Sequence, residues 1–199
     1  MTDDDTTQPD SQRRRLVVAT SAAGGIAAAA TAVPFVASLT PSERAKSIGA
    51  PVTTDISKLA PGEMLTVSWR GQPVWILRRT PEMLAGLKKV EGDLRDPASE
   101  EPQQPEYCRN EYRSRKPEFL VAVGICTHLG CVPTFRPDVS PSDLGPRWQG
   151  GYFCPRHGST FDLAGRVYKS KPAPLNLVIP PYYYSGTSTV IVGRDDESA

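Results

Sequence analysis

Two short stretches of this chain combine the residue types that hold redox metals. The first is Cys126-Thr127-His128-Leu129-Gly130-Cys131 and the second is Cys154-Pro155-Arg156-His157-Gly158-Ser159. Each offers one thiolate and one imidazole at close spacing, so two facing loops would present two sulfurs and two nitrogens to metal. The chain has only two histidines, and each lies within three residues of a cysteine. Scattered core imidazoles would not sort themselves that way. The plain alternative is a pair of buried thiols with satisfied core histidines. A Cys2His2 set could also hold structural zinc, although zinc fingers usually group the two cysteines together and the two histidines together.

Such boxes need rigid supports. Phe119, Val121, Val123 and Ile125 alternate, predicting a strand with one buried face that runs out at Cys126. Tyr152 and Phe153 lead into the second box as another strand edge. Val132 to Gly151, with four prolines and Trp148, is expected to be an excursion without regular structure. Phe161 to Tyr168, turning at Ala164-Gly165, reads as a hairpin. Lys171-Pro172-Ala173-Pro174 is stiff because proline fixes φ. Leu175–Ile179, Tyr182–Ser185 and Thr189–Val192 are expected to close the β domain.

Upstream, Leu65–Trp69 and Val74–Leu77 flank Arg70-Gly71 as a hairpin. Thr80-Pro81 followed by Met83, Leu84, Leu87 and Val90 predicts an N-capped helix with one apolar face. Glu91 to Lys116 is charged and proline-containing, as a surface loop would be, and it carries Cys108 as a free thiol. The whole reads as a mainly β, antiparallel head domain over 51–199, with the metal-binding part at about 119–175.

At 199 residues there is room for one compact domain and an appendage. A net charge of +1 supplies no basic face for nucleic acid, and four cysteines are too few for a disulfide scaffold. Residues 1–12 read as a polar, disordered tail, and the segment 1–15 ends in Arg13-Arg14-Arg15. The uncharged stretch 16–39 is long enough to cross roughly 30 Å of hydrocarbon at about 1.5 Å per residue. Paired arginines before a weakly hydrophobic run resemble a twin-arginine export signal, and the basic flank keeps the amino terminus inside the cell. No small-x-small cleavage site after Leu39 is convincing, which favours a retained transmembrane anchor with the head in the periplasm of a bacterial inner membrane. Residues 40–50 read as a flexible tether.

One thiolate and one imidazole per box, with Leu129-Gly130-Cys131 after the first pair and Gly158-Ser159 after the second, resembles the quinol-oxidising branch of the Rieske iron–sulfur family. The chain looks like the iron–sulfur subunit of a bacterial cytochrome bc complex, a quinol–cytochrome c reductase, along essentially its whole length. The resemblance implies one [2Fe–2S] cluster with Cys126 and Cys154 on one iron and His128 and His157 on the other. It implies that Leu129, Gly130, Cys131, Gly158, Ser159 and Pro172 surround the cluster, with Pro172 in a proline loop covering it from a third side. It further implies that His157 accepts a hydrogen bond from ubiquinol or another quinol and takes its proton, with His128 on the electron exit face. The partners implied are b-type and c-type cytochromes in a dimeric membrane complex.

Two positions depart from that pattern. Arg156 stands where the family has a second cysteine bonded to the one at Cys131, so that bridge cannot form; Cys108 is the other cysteine left to pair with Cys131. Phe161 stands where many high-potential members have a tyrosine that donates to a ligand sulfur. The competing readings are the small Rieske subunit of a periplasmic molybdenum oxidase such as arsenite oxidase, a soluble ferredoxin, and a zinc-stabilised module.

Overall fold

A computed structural model of the chain describes residues 11–42 and 49–195. The polar tail up to residue 10 and most of the expected tether, residues 43–48, lie outside the described residues. The chain divides into two units, Met1–Ser47 and Ile48–Ala199.

In the first unit, α1 (Ser11–Ser38) takes in the arginines and nearly all of the uncharged stretch, and none of its residues is buried. Its length of 28 residues corresponds to about 42 Å. It is the one helix among the described residues long and apolar enough to cross a membrane. Three of its hydroxyls are spent inside the helix: Thr20 Oγ1 donates to Leu16 O, Thr31 Oγ1 to Ala27 O and Ser38 Oγ to Phe35 O. That internal satisfaction is what a polar side chain needs in hydrocarbon.

The second unit is built from three antiparallel sheets of three strands each. The first pairs β1 (Val52–Asp55) with β9 (Thr189–Val192), which pairs in turn with β8 (Tyr182–Ser185). The second holds β2 (Met64–Trp69), β3 (Gln72–Arg78) and β4 (Phe119–Val123). The third holds β5 (Thr134–Val139), β6 (Gln149–Cys154) and β7 (Ser159–Asp162). The β2–β3 hairpin turns at the expected dipeptide, with Arg70 at φ 52° and Gly71 at φ 72°. Two consecutive left-handed residues give the turn sense that matches strand twist. Helix α2 (Pro81–Lys89) starts as expected: Thr80 Oγ1 accepts from Met83 N–H and proline fills the first turn.

Four expectations are corrected. The strand before the first box is buried on both faces, since all five residues of β4 are buried; β3 pairs with it on one side, and Val123 N–H reaches Val178 O on the other. The stretch 132–151 is not irregular but contributes β5 and the start of β6, and Pro137 occupies a position where the register shifts. Leu175–Ile179 forms no strand, its backbone groups being bonded singly to several neighbours. Finally, 91–116 is not merely a surface loop. Leu94, Ser99, Cys108, Arg113 and Ser114 are buried within it. Arg113 donates to the carbonyls of Ala164, Gly165 and Leu177 and to Gln104 Oε1. Those carbonyls make burial of a guanidinium tolerable; desolvation still lowers its pKa to about 10. Arg79 is held the same way, by the carbonyls of Pro117, Tyr112 and Leu163, and is lowered to about 10 by the same burial.

Candidate metal–sulfur centre

Each box is a tight turn of the same construction. In the first, Gly130 N–H donates to Cys126 O at 3.0 Å, and Cys126 N–H to Cys131 O at 2.7 Å. In the second, Gly158 N–H donates to Cys154 O at 2.9 Å. The closing glycines have φ 76° and 74°. A Cβ at either would meet nothing within 4 Å, so it is the left-handed backbone that requires glycine there. The second turn joins β6 to β7, with Cys154 paired to Ser159. The first leaves β4 through Gly124, whose N–H donates to Pro73 O. A Cβ on Gly124 would collide with the Trp75 indole, and that indole stacks on Tyr152 at 4.7 Å. Glycine at 124 therefore lets the aromatic pair seat against the base of the first box.

The turns sort their ligand candidates by depth. Cys126 is 2% exposed and Cys154 1%. Burial pushes the Cys154 thiol pKa up, and the neighbouring Cys126 thiol, within hydrogen-bonding reach, adds to the shift. The two imidazoles also meet, edge to face, with ring centres 4.8 Å apart and planes at 88°. His128 is half-buried and His157 exposed. His128 Nδ1 is buried and has no hydrogen-bond partner. A buried nitrogen in that condition is costly unless something else occupies its lone pair or proton, and a metal is a suitable occupant. Among the described residues no three His, Cys, Asp or Glu side chains close on one ion position. Paired inner thiols and paired outer imidazoles thus fit a two-iron centre with unlike ends better than one tetrahedral zinc ion.

The surrounding residues fall into place around these four. Ser159 Oγ accepts from Ala173 N–H at 3.0 Å, which leaves its own hydrogen available to donate. Leu129 and Gly130 are exposed beside His128, Arg156 beside His157, and Pro172 is exposed on the following loop. Cys131 is half-buried and Cys108 buried, and both are free thiols, so neither pairs with the other. Cys108 instead lies 3.7 Å from the Tyr182 hydroxyl. Phe161 is fully buried in β7 opposite Tyr152. Sequence reasoning passed over Thr127, whose hydroxyl donates to Leu175 O at 2.6 Å. The signal was its place inside the first box, between two ligand candidates.

The chain resembles known proteins along most of its length. Residues 98–181 match the family described as Rieske [2Fe-2S] domain, and residues 2–42 match that described as Ubiquitinol-cytochrome C reductase Fe-S subunit TAT signal. A ubiquinol-cytochrome c reductase iron-sulfur subunit from Allochromatium vinosum is 60% identical over 167 residues, covering 84% of this chain and 81% of its own. One of the same description from Rhodospirillum rubrum is 37% identical over 161 residues, covering 80% of this chain and 79% of its own. A chain from a solved structure titled Hyperthermophilic respiratory Complex III is 25% identical, with a TM-score of 0.48, covering 87% of this chain and 96% of that one. With 60% identity across most of both chains, this protein belongs to the family of Rieske [2Fe–2S] iron–sulfur subunits of ubiquinol–cytochrome c reductase.

Proposed function

We propose that this chain is the electron-transfer subunit through which a bacterial cytochrome bc complex oxidises quinol and delivers the electron to a c-type cytochrome. The observation that carries the reading is the pairing of two buried thiols with two outer imidazoles, one of which has a buried Nδ1 without a partner. In this assignment Cys126 and Cys154 hold one iron of the cluster, and His128 and His157 the other. When bound, such a centre supplies a one-electron acceptor at roughly −150 to +300 mV, because neutral imidazoles replace two anionic thiolates.

The protein's own groups do the rest. His157 is the exposed imidazole; its ring nitrogen not held by iron, once without its hydrogen, would accept the hydrogen bond from the quinol hydroxyl and take its proton. His128, half-buried beside exposed Leu129, lies toward the electron exit. The fully buried cysteines keep water from the sulfur end. One centre takes one electron from a two-electron donor, so a b-type cytochrome must take the second. Export by the twin-arginine route, α1 as the single membrane anchor, a periplasmic head and a dimeric complex complete the proposal. The amino-terminal match to an export signal and the length and composition of α1 support it.

Replacing His157 by alanine tests the assignment. Loss of both the [2Fe–2S] spectrum and quinol oxidation is expected. A His157→Ala chain that keeps an unaltered cluster would refute it.

A further inference from the structure

A cavity of about 550 Å³ opens on the head beside the second box, with Gly158 and Thr160 on the side nearest that box. Its volume is that of a small-molecule site. One side of it is apolar and aromatic, made by Leu144, Trp148, Phe153 and Tyr168. The Trp148 indole stacks on Tyr168 with ring centres 5.8 Å apart. The walls are held by their own bonds. Ser140 Oγ donates to Pro146 O at 2.8 Å and Ser140 N–H to Trp148 O at 2.9 Å, which fixes the loop that carries Asp143 and Arg147. Across the cavity, Lys169 N–H donates to Asp93 O at 2.8 Å.

The charges in these walls do not cancel. Asp143 is taken by Arg136, which bonds both of its carboxylate oxygens at 2.9 and 3.0 Å. Asp93 is taken by Arg147 at 2.8 Å. Both carboxylates are thus spent on arginines, while Lys169 Nζ donates only to a neutral carbonyl, Gly92 O, at 2.9 Å. Lys171 forms no ion pair among the described residues. Arg95, donating to Lys171 O at 3.1 Å, brings a further cation to the same rim. Two lysines are therefore left to set the sign of the cavity, and it is positive. The wall also holds a spare donor. The Tyr168 hydroxyl is buried and has no hydrogen-bond partner, a costly condition that an oxyanion would relieve.

We propose that this cavity binds an organic phosphate, with Lys169 and Lys171 on the phosphate, the Tyr168 hydroxyl donating to it, and the apolar side packing on its carbon part. Lysine is a point charge with three donors, suited to a tetrahedral oxyanion, whereas the planar fork that matches a carboxylate belongs to arginine, and Arg147 already spends its fork on Asp93. Inorganic phosphate alone would leave the aromatic side uncovered. The phosphate belongs either to a soluble ester or to the headgroup of a phospholipid, and the chemistry at the lysines is the same for both. The site is independent of the cluster and its ligands.

The test uses the full-length, cluster-loaded chain in a neutral detergent at fixed ionic strength, with binding read by calorimetry. The probes are glycerol 3-phosphate for the soluble source and dihexanoyl phosphatidylglycerol for the lipid source. Saturable one-to-one binding is expected, and the tighter probe names the source. A chain with both Lys169→Gln and Lys171→Gln should bind that probe at least about tenfold more weakly. Tyr168→Phe, which alters no charge, should weaken it by about fivefold. Lys58→Gln, an exposed lysine away from the cavity, should leave it unchanged. Absence of saturable binding with both probes overturns the site. An equal loss in Lys58→Gln, or an unmoved affinity in Tyr168→Phe, also overturns it, because binding would then be attraction to surface charge alone.

Discussion

At the scale of single residues, Phe161 makes the sharpest electronic statement. It is fully buried in the strand that leaves the second box and offers no donor to the sulfur end of the centre. A donor to thiolate stabilises the reduced, more negative state, so a Phe161→Tyr chain should have a higher midpoint potential, read by redox titration. An unmoved potential would mean that the position does not reach the sulfurs. Asp162, its neighbour, has a structural role. Its carboxylate takes Arg166 at 2.8 Å with both side chains 1% exposed, and also accepts from the Ala164 and Arg166 amides. Removing one partner of such a pair leaves an uncompensated buried charge, so Asp162→Asn should cost about 3–5 kcal/mol in a thermal or denaturant melt. A loss below about 1 kcal/mol would place the pair among screened surface bridges.

At the scale of elements, the supports of the boxes are what the chemistry depends on. Gly124 links β4 to the first box, and a side chain there would run into Trp75. Gly124→Ala should therefore destabilise the head by about 1–3 kcal/mol through overpacking and disturb the Trp75–Tyr152 stack. Loss of the tryptophan near-ultraviolet circular dichroism would report it. Elements with local signals were legible in the sequence: the Arg70-Gly71 turn, the Thr80-Pro81 cap, and the strands at the edges of both boxes. Elements whose signals are tertiary were not. Alternation in 119–125 suggested one wet face, but all five residues of β4 are buried. Prolines in 132–151 hid β5 because a strand at the outside of its sheet tolerates them. Charge in 91–116 suggested solvent, whereas Arg113 spends its charge on buried carbonyls, a partner set no local pattern announces. The four ligand candidates were legible because metal ligation requires particular residue types at short spacing. The bonds from both boxes to Ala173 and Leu175 were not, because those two residues act through backbone atoms.

At the scale of the whole molecule, the two units have different tasks. The amino-terminal one carries adjacent arginines and a helix with no buried residue, and the other carries three sheets and the boxes. Replacing Arg13, Arg14 and Arg15 by lysine should leave the chain on the cytoplasmic side, as protease protection in spheroplasts would report, while its cluster still forms. The unaltered chain should stay with the membrane through an alkaline carbonate wash. Release by that wash would mean that α1 does not span. Family membership accounts for the pairing of an export signal with a cofactor-bearing head, since the twin-arginine route carries proteins already folded around their cofactor. The free Cys131 and the arginine at 156 set this chain apart from the disulfide-bridged pattern its boxes otherwise resemble. Apart from the ligands of the cluster itself, no disulfide joins the two boxes of its tip.

The most direct test of the central claim is the low-temperature electron paramagnetic resonance spectrum of the ascorbate-reduced protein. A rhombic [2Fe–2S] signal of mixed histidine–cysteine type, already present with this mild reductant, is expected. It would mean that both boxes hold one cluster at a potential that quinol can reach, without a bridge between them. A spectrum that stays blank even with dithionite would contradict the account.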